Sequence, residues 1–338
     1  MNAREFFYKG YYLHSIGQQN NVTQFSLEKP AKKEDFNELK KKNKPVIEDA
    51  NRKLQNFTLQ NAAPPKNDYQ CLRLNTDNNI WLSEIVFTTS YPGLLIGTGY
   101  MHQSDNEAEF KMGFYFDHTT GLPCIPGSSV KGVLRSMFPQ LGRKLNILPQ
   151  PQDITDVQHS KIEHIAQLAG WDGLDATEMT KKVHCLELAI FEGADLDKTP
   201  EGGENEYKKI YNRFIFYNAY ISGAKGNKIF ETDSIAPHPD PLKNPIPLNF
   251  LKIRASVKFN FQFLLQDIKP LGLSRTTIME IFKALLEYTG AGAKTNVGYG
   301  QLKYETHIMP PGEESFVSEL SKAFDLLHTL KLKKRKTN

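Results

Sequence analysis

Gly290-Ala291-Gly292-Ala293-Lys294-Thr295-Asn296-Val297-Gly298-Tyr299-Gly300 is the stretch whose reading decides the fold. It holds four glycines, one lysine and no acidic side chain. Glycine lets a backbone turn through φ > 0 or approach another segment closely. Successive N–H groups in such a run are free to converge on an anion, and Lys294 adds a mobile positive charge. On its N-terminal side, Ile278, Ile281, Phe282, Leu285 and Leu286 follow at helical spacing, with Ser274 as N-cap and Gly290 as the terminating glycine. On its C-terminal side, Leu302, Tyr304 and Thr306 alternate with Gln301, Lys303 and Glu305, as in a half-buried strand. The predicted order is helix, glycine loop, strand. A P-loop has the reverse order and places Gly directly before Lys-Ser/Thr. Here Ala293 precedes Lys294, which argues against Walker-type nucleotide binding. By itself the loop also reads as a plain αβ connection, so the other motifs decide.

Upstream lies the clearest periodicity in the chain. Leu251, Ile253, Ala255, Val257, Phe259, Phe261, Phe263 and Leu265 are apolar, and Lys252, Arg254, Ser256, Lys258, Asn260 and Gln262 between them are polar. This predicts a long strand, bent or bulged, with one face on the core and a wet, basic face. Lys209–Ile221, apolar and aromatic, reads as a buried central strand. Between them, Asp233-Ser-Ile-Ala-Pro-His238 leads into prolines at 237, 239, 241, 245 and 247, a stiff extended excursion. Trp81–Tyr91 and Lys111–Asp117 are further strand candidates. After Pro126-Gly127, Ser128 or Ser129 is expected to cap a helix burying Val130, Val133, Leu134, Met137 and Phe138. Lys131 and Arg135 emerge on one side of that helix, which with its N–H groups and two hydroxyls would suit a phosphate. An ordinary capped helix with solvated cations satisfies the same pattern.

With 338 residues, the chain holds two domains' worth of mass, or one domain with large insertions. Residues 1–68 read as a charged appendage with short helices around Asp35–Lys42 and Pro45–Phe57, ending at Pro64-Pro65. Residues 69–308 form the main domain, interrupted at about 139–207 by an insertion with a helix at His159–Ala169. Residues 309–338 give a terminal helix and a basic tail. The net charge of +4 is too small to demand a polyanionic partner; its distribution is more telling, basic at Lys29–Lys53 and Lys331–Lys336 and acidic at Glu187–Glu206. Cys71, Cys124 and Cys185 have neither disulfide-framework nor zinc-site spacing, and His159 and His164 do not share a helical face, so no metal or cofactor is expected. With no apolar leader and no run of 18 apolar residues, a cytoplasmic protein without a membrane partner is expected.

Three motifs in order carry a resemblance. Gly121-Leu-Pro-Cys-Ile-Pro-Gly-Ser-Ser-Val-Lys131-Gly-Val-Leu-Arg135-Ser resembles the proline–glycine–serine–lysine–arginine signature of the RAMP proteins of CRISPR systems. Asp233–His238 with Pro245-Ile-Pro-Leu-Asn-Phe-Leu resembles the middle motif of the sixth Cmr subunit of type III-B complexes, and Gly290–Gly300 resembles the RAMP glycine-rich loop. Glu192 departs from the family's Ile-Phe-Gly-like turn at Ile190–Gly193. The resemblance covers about residues 84–306. It implies an α+β architecture, a modified ferredoxin-like (RRM-type) RAMP fold with insertions. It also implies a non-catalytic subunit that grips crRNA and the guide–target duplex near the crRNA 3′ end. The implied neighbours are target RNA, the backbone RAMP subunit, the small subunit and a capping RAMP. Target cleavage and cyclic-nucleotide synthesis belong to other subunits in such complexes.

The residues agree in their own terms. The expected RNA-binding set is Ser128, Ser129, Lys131, Arg135, Arg254, Gly292, Lys294, Thr295, Gly298 and Tyr299, suited to a sugar–phosphate chain read by shape and charge. Tyr299 is either a base-stacking ring or a core aromatic opening the next strand. The competing reading is a metal-independent endoribonuclease with His238 as acid/base and Asp233 orienting it. Against that, no second proton-transfer group is evident, and Asp233 and His238 read better as pins for the proline-stiffened loop.

Overall fold

The computed structural model describes residues 3–5, 7, 33–59, 80–97, 106, 108–110, 113–145, 147–198, 205–235 and 247–304. The expected C-terminal helix and tail, His238 and most of the proline excursion lie outside these residues, as does most of 1–32 and all of 60–79. The architecture is α+β. Its centre is a six-stranded antiparallel sheet of β1 (Ile80–Thr89), β2 (Cys124–Ile125), β3 (Ile215–Phe216), β4 (Ala219–Ala224), β7 (Val257–Gln266) and β8 (Leu302–Tyr304), in the order β2-β4-β7-β1-β8 with β3 also paired to β7. A hairpin of β5 (Phe230–Ile235) and β6 (Leu248–Ile253) makes a second sheet. The helices are α1 (Lys33–Gln55), α2 (Gly127–Ser136), α3 (Asp156–Leu168), α4 (Ala176–Glu187) and α5 (Arg275–Thr289).

Strand alternation sorts the faces of β7. Phe259 and Phe261 sit opposite Phe87 and Ile85 on β1, and this row, with Phe263, is fully buried or nearly so. Phe282 of α5 closes over it, its ring centroid 5.2 Å from that of Phe263. The sequence reading of α5 holds: Ser274 caps it by accepting from the Thr277 N–H, its five apolar positions are buried, and Gly290 ends it with φ +71°. β1 and β8 also fall where the alternation places them.

Four expectations are corrected. The long strand over 251–265 is two strands in two sheets, separated by a turn at Arg254–Ser256 where Ser256 adopts φ +65°. Buried Thr89 holds that turn: its hydroxyl donates to the Arg254 carbonyl at 2.7 Å and accepts from the Val257 N–H at 3.0 Å. The polar face is therefore not a wet basic stripe. Lys252 is buried against acids, and Gln262 is buried and donates to the Glu84 carboxylate at 2.6 Å. Second, Lys209–Ile221 is not one buried strand. Ile210 is 79% exposed, and the chain leaves the sheet after β3 to receive the start of α2. There the Phe216 carbonyl lies so close to Gly127 that a Cβ would sit 2.2 Å from it, and Asn218 accepts the Gly127 N–H. Third, in the expected Lys111–Asp117 strand the described residues form isolated bridges at Phe114 and Phe116, the latter to Pro123, and no continuous strand.

The fourth concerns organisation. Residues 139–207 hold α3 and α4, whose Ile162, Ile165, Val183 and Leu186 join the same apolar cluster as the sheet, so they are part of the core and not an excursion from it. α3 begins one turn before the expected helix, at a Thr155/Gln158 capping box. The N-terminal segment contributes too. The two expected short helices are one, α1, with Pro45 on its exposed side, and Ile47, Ala50 and Leu54 are fully buried. A periodic segment of this length packed on a sheet stabilises by burial, roughly 1.5–3 kcal/mol per large apolar side chain.

Candidate nucleic-acid interface

The glycine loop is a rigid clasp. Gly290, Gly292, Gly298 and Gly300 all take positive φ. At Gly300 a Cβ would lie 1.9 Å from the Ala291 carbonyl oxygen, so no other residue fits. The Ala291 N–H donates to the Gly300 carbonyl at 2.9 Å, Ala293 N–H to Leu95 at 2.7 Å, and Gly300 N–H to Gly93 at 2.8 Å. Between these ties, the N–H groups of Lys294, Thr295 and Asn296 have no backbone partner among the described residues. Lys294 itself stands in the left-handed region at φ +59°, before a short turn at Thr295–Val297. Its ammonium pairs with no described residue.

Two other turns join the loop. Ser90–Gly93 at the end of β1 closes by a Gly93 N–H to Ser90 carbonyl bond, and Ser90 N–H donates to Gln301. The Arg254–Ser256 turn abuts it: the Leu94 N–H donates to the Ile253 carbonyl, and a Cβ on Gly93 would touch the Arg254 backbone. Arg254 is half-buried, and its guanidinium pairs with no described residue. The β4–β5 connection adds exposed Lys225 and Lys228; the Lys225 N–H donates to Ser256, and the Arg254 N–H to Ile229. Of the sequence-predicted set, the structure thus brings together Gly292, Lys294, Thr295, Gly298, Tyr299 and Arg254.

Tyr299 resolves to the core reading. It is 7% exposed, its ring is edge-on to Phe250 at 5.9 Å, and its hydroxyl donates to Asp233 Oδ2 at 2.7 Å, so it is no base-stacking platform. Burial, then the Asp233 carboxylate, hold its phenol well above the usual range. Asp233 also accepts from Lys252 Nζ at 2.8 Å. Burial pushes the Asp233 carboxyl up, but hydrogen bonds from Lys252, Tyr299 and the Ser234 N–H outweigh it and leave the group below its ordinary value. Asp233 therefore pins the β5–β6 hairpin to the glycine loop. The aromatic that sequence reasoning missed is Tyr91, 87% exposed on the adjoining turn, where Pro92 packs beside Gly298. An aromatic before Pro-Gly signals a turn, but nothing in the sequence tells its exposure.

The first motif lies elsewhere. α2 starts at Gly127, with Pro126 in the cap position and no side-chain cap. Ser128 and Ser129 sit in the first turn and cap nothing, because Pro126 already supplies the extended backbone and its carbonyl accepts from Ser129 and Val130. Of the expected stripe, Val130, Leu134 and Phe138 are buried, and Val133 and Met137 pack partly buried against the core. Lys131 Nζ donates to the Phe191 carbonyl at 2.7 Å, and burial lowers the ammonium's pKa, opposed by Glu192 and reinforced by Arg135 and Arg213. Arg135 pairs with Glu192 at 2.5 Å and faces buried Glu187 at 4.0 Å. Burial holds Glu187 above the usual carboxylate range despite the Gln140 N–H and Arg135. The partners of Lys131 and Arg135 are on 187–192, whereas those of the glycine loop are Gly93, Leu95 and Asp233. The single cradle expected from all three motifs is not formed by these side chains. Among the described residues, no group of three His, Cys, Asp or Glu is placed to hold a metal ion, and no helix is long and apolar enough to cross a membrane.

No curated protein sequence matches the chain. Among solved structures, the chain is similar to a type III-B Cmr-β complex bound to cognate target RNA, at 19% identity over 90% of this chain and 87% of that one, with a TM-score of 0.47. It is also similar to Cmr6 from Pyrococcus furiosus, at 19% identity over 67% and 99% of the two chains with a TM-score of 0.37. A chain of a type IV-B CRISPR complex matches at 13% identity over 69% and 93%, with a TM-score of 0.35. The RAMP superfamily model matches residues 86–303, from the heart of β1 to the last strand. With well over half its length matched, this chain belongs to the RAMP superfamily.

Proposed function

We propose that the chain is a non-catalytic RNA-binding RAMP subunit of a type III-B CRISPR (Cmr) ribonucleoprotein, holding crRNA and the guide–target duplex near the crRNA 3′ end. The observation that carries this is the glycine loop: among the described residues, three successive N–H groups have no backbone partner, and neither Lys294 nor Arg254 on the turn packed beside it has an ionic partner. Backbone amides and cations with no internal partner suit phosphates, and such contacts position a strand without reading its sequence. Family membership supports the same reading. Neighbouring subunits would be a backbone RAMP, a small subunit and a capping RAMP.

The test is co-expression with those neighbours, asking whether an RNA of defined length co-purifies and whether the complex loses it when Lys294 and Arg254 are both replaced by alanine. Retention of the RNA at wild-type level by the double variant overturns the proposed grip. The enzymatic alternative, with His238 as acid/base, is checked on the same material: the binding subunit leaves RNA intact in EDTA and in Mg²⁺, whereas cleavage abolished by His238→Ala would establish the nuclease.

A further inference from the structure

Among the described residues, one exposed aromatic at the interface makes no hydrogen bond or ring contact. Tyr91 is 87% exposed, although it stands on a turn fixed at both ends, by Ser90 N–H to Gln301 and by Gly300 N–H to Gly93. A ring so exposed contributes little burial to the fold. Its surroundings suit a nucleotide: the glycine loop on one side through Pro92 and Gly298, and the Arg254 turn on the other through Gly93. The buried ring of Tyr299 is excluded from stacking, which leaves Tyr91 as the aromatic that the clasp presents among the described residues.

We infer that Tyr91 is a stacking platform for one unpaired base of the bound RNA, with Lys294 and Arg254 on its flanking phosphates. This rests on the RNA-binding reading above and adds a ligand class to it: a nucleotide splayed out of, or lying beyond, a duplex. A base-paired strand keeps its bases stacked on one another and offers no free face to Tyr91. Stacking is tolerant of base identity, so the platform marks a position in the strand and not a sequence.

The experiment uses the full chain and a short single-stranded RNA carrying one 2-aminopurine, moved along the strand, with fluorescence and affinity read at several salt concentrations. Expected is quenching at one position, retained by Tyr91→Trp and lost with Tyr91→Ala, together with a roughly 5- to 150-fold loss of affinity for Tyr91→Ala. The salt dependence of binding stays unchanged in Tyr91→Ala, since no charge is removed, while Lys294→Ala lowers its slope by about 0.7. If Lys294→Ala weakens binding but Tyr91→Ala binds and quenches like wild type, the platform is wrong and the RNA reading stands. If neither substitution alters binding, or the chain takes up no RNA, both fall. Because Tyr91 is exposed, an unchanged melting temperature in Tyr91→Ala separates lost stacking from lost folding.

Discussion

Two basic stretches, α2 and the glycine loop, look alike on paper and behave oppositely in the folded chain. Each pairs tight glycine-containing backbone with lysine or arginine, and each belongs to a RAMP-like motif. On α2 the cations are consumed internally: Lys131 by a carbonyl of the segment after α4, and Arg135 by Glu192 and Glu187. On the glycine loop Asp233 is held by Lys252 and Tyr299, and the half-buried Lys294 pairs with no described residue. What decides whether a cation is available is which acids the fold brings beside it, and here Glu187, Glu192 and Asp233 all come from distant sequence.

The sharpest way to break the comparison is at its glycines. Gly300→Ala places a Cβ against the Ala291 carbonyl at φ +76° and should cost about 3 kcal/mol or more, read by denaturant unfolding, with loss of RNA binding. Gly132→Ala on α2 meets nothing within 4 Å and sits in a helix, so it should stabilise by about 0.5–1 kcal/mol. Equal effects at the two sites would mean that the loop is not the rigid clasp described.

The acids give the next contrast. Asp233→Asn leaves the buried Lys252 ammonium with Glu231 alone at 3.4 Å and should cost about 2 kcal/mol. The pH dependence should run in opposite directions at the two acids. The carboxyl of Asp233 lies below its ordinary value in the folded chain, so its contribution is present above the unfolded pKa and lost as pH falls through the folded one. Glu187 lies above its ordinary value, so its contribution is full below the unfolded pKa and lost as pH rises through the folded one. Unfolding followed across acid pH should show Asp233→Asn removing a fall in stability toward low pH, and Glu187→Gln removing a fall toward neutral pH.

The smallest effect separates the two regions functionally. Lys131→Ala should leave the salt slope of RNA binding unaltered, because its ammonium is held by the Phe191 carbonyl, against the drop of about 0.7 expected for Lys294→Ala. A drop of the same size in Lys131→Ala would restore the phosphate site on α2.

The parts of the fold legible in the sequence were those with a local cause. Ser274, the apolar spacing of α5 and Gly290 define a helix without outside help, and the alternation of β1 and β8 needs only a sheet to lie on. The site was legible as far as backbone demands went: Gly290 to Gly300 could serve little else than a tight loop. Side-chain partners were not legible. Arg135 to Glu192 spans 57 residues and Tyr299 to Asp233 spans 66, and no period in a sequence encodes such a meeting. Glu192 was visible as a departure from the family's turn, yet that it would neutralise Arg135 depended on where α4 ends. The break in the long strand escaped for the same reason, since the Thr89 hydroxyl that holds the turn lies far earlier in the chain.

That hydroxyl bonds a carbonyl 165 residues further on, and the clasp closes on Gly93 only when Gly300 arrives. At roughly 5–20 residues per second of synthesis, β1 emerges from the ribosome on the order of ten seconds before β7 can cover it, and longer before the loop exists. If the clasp is the RNA grip proposed above, a nascent chain has no place to catch a transcript until Gly300 has been made, and bulk RNA is kept out of the half-made protein.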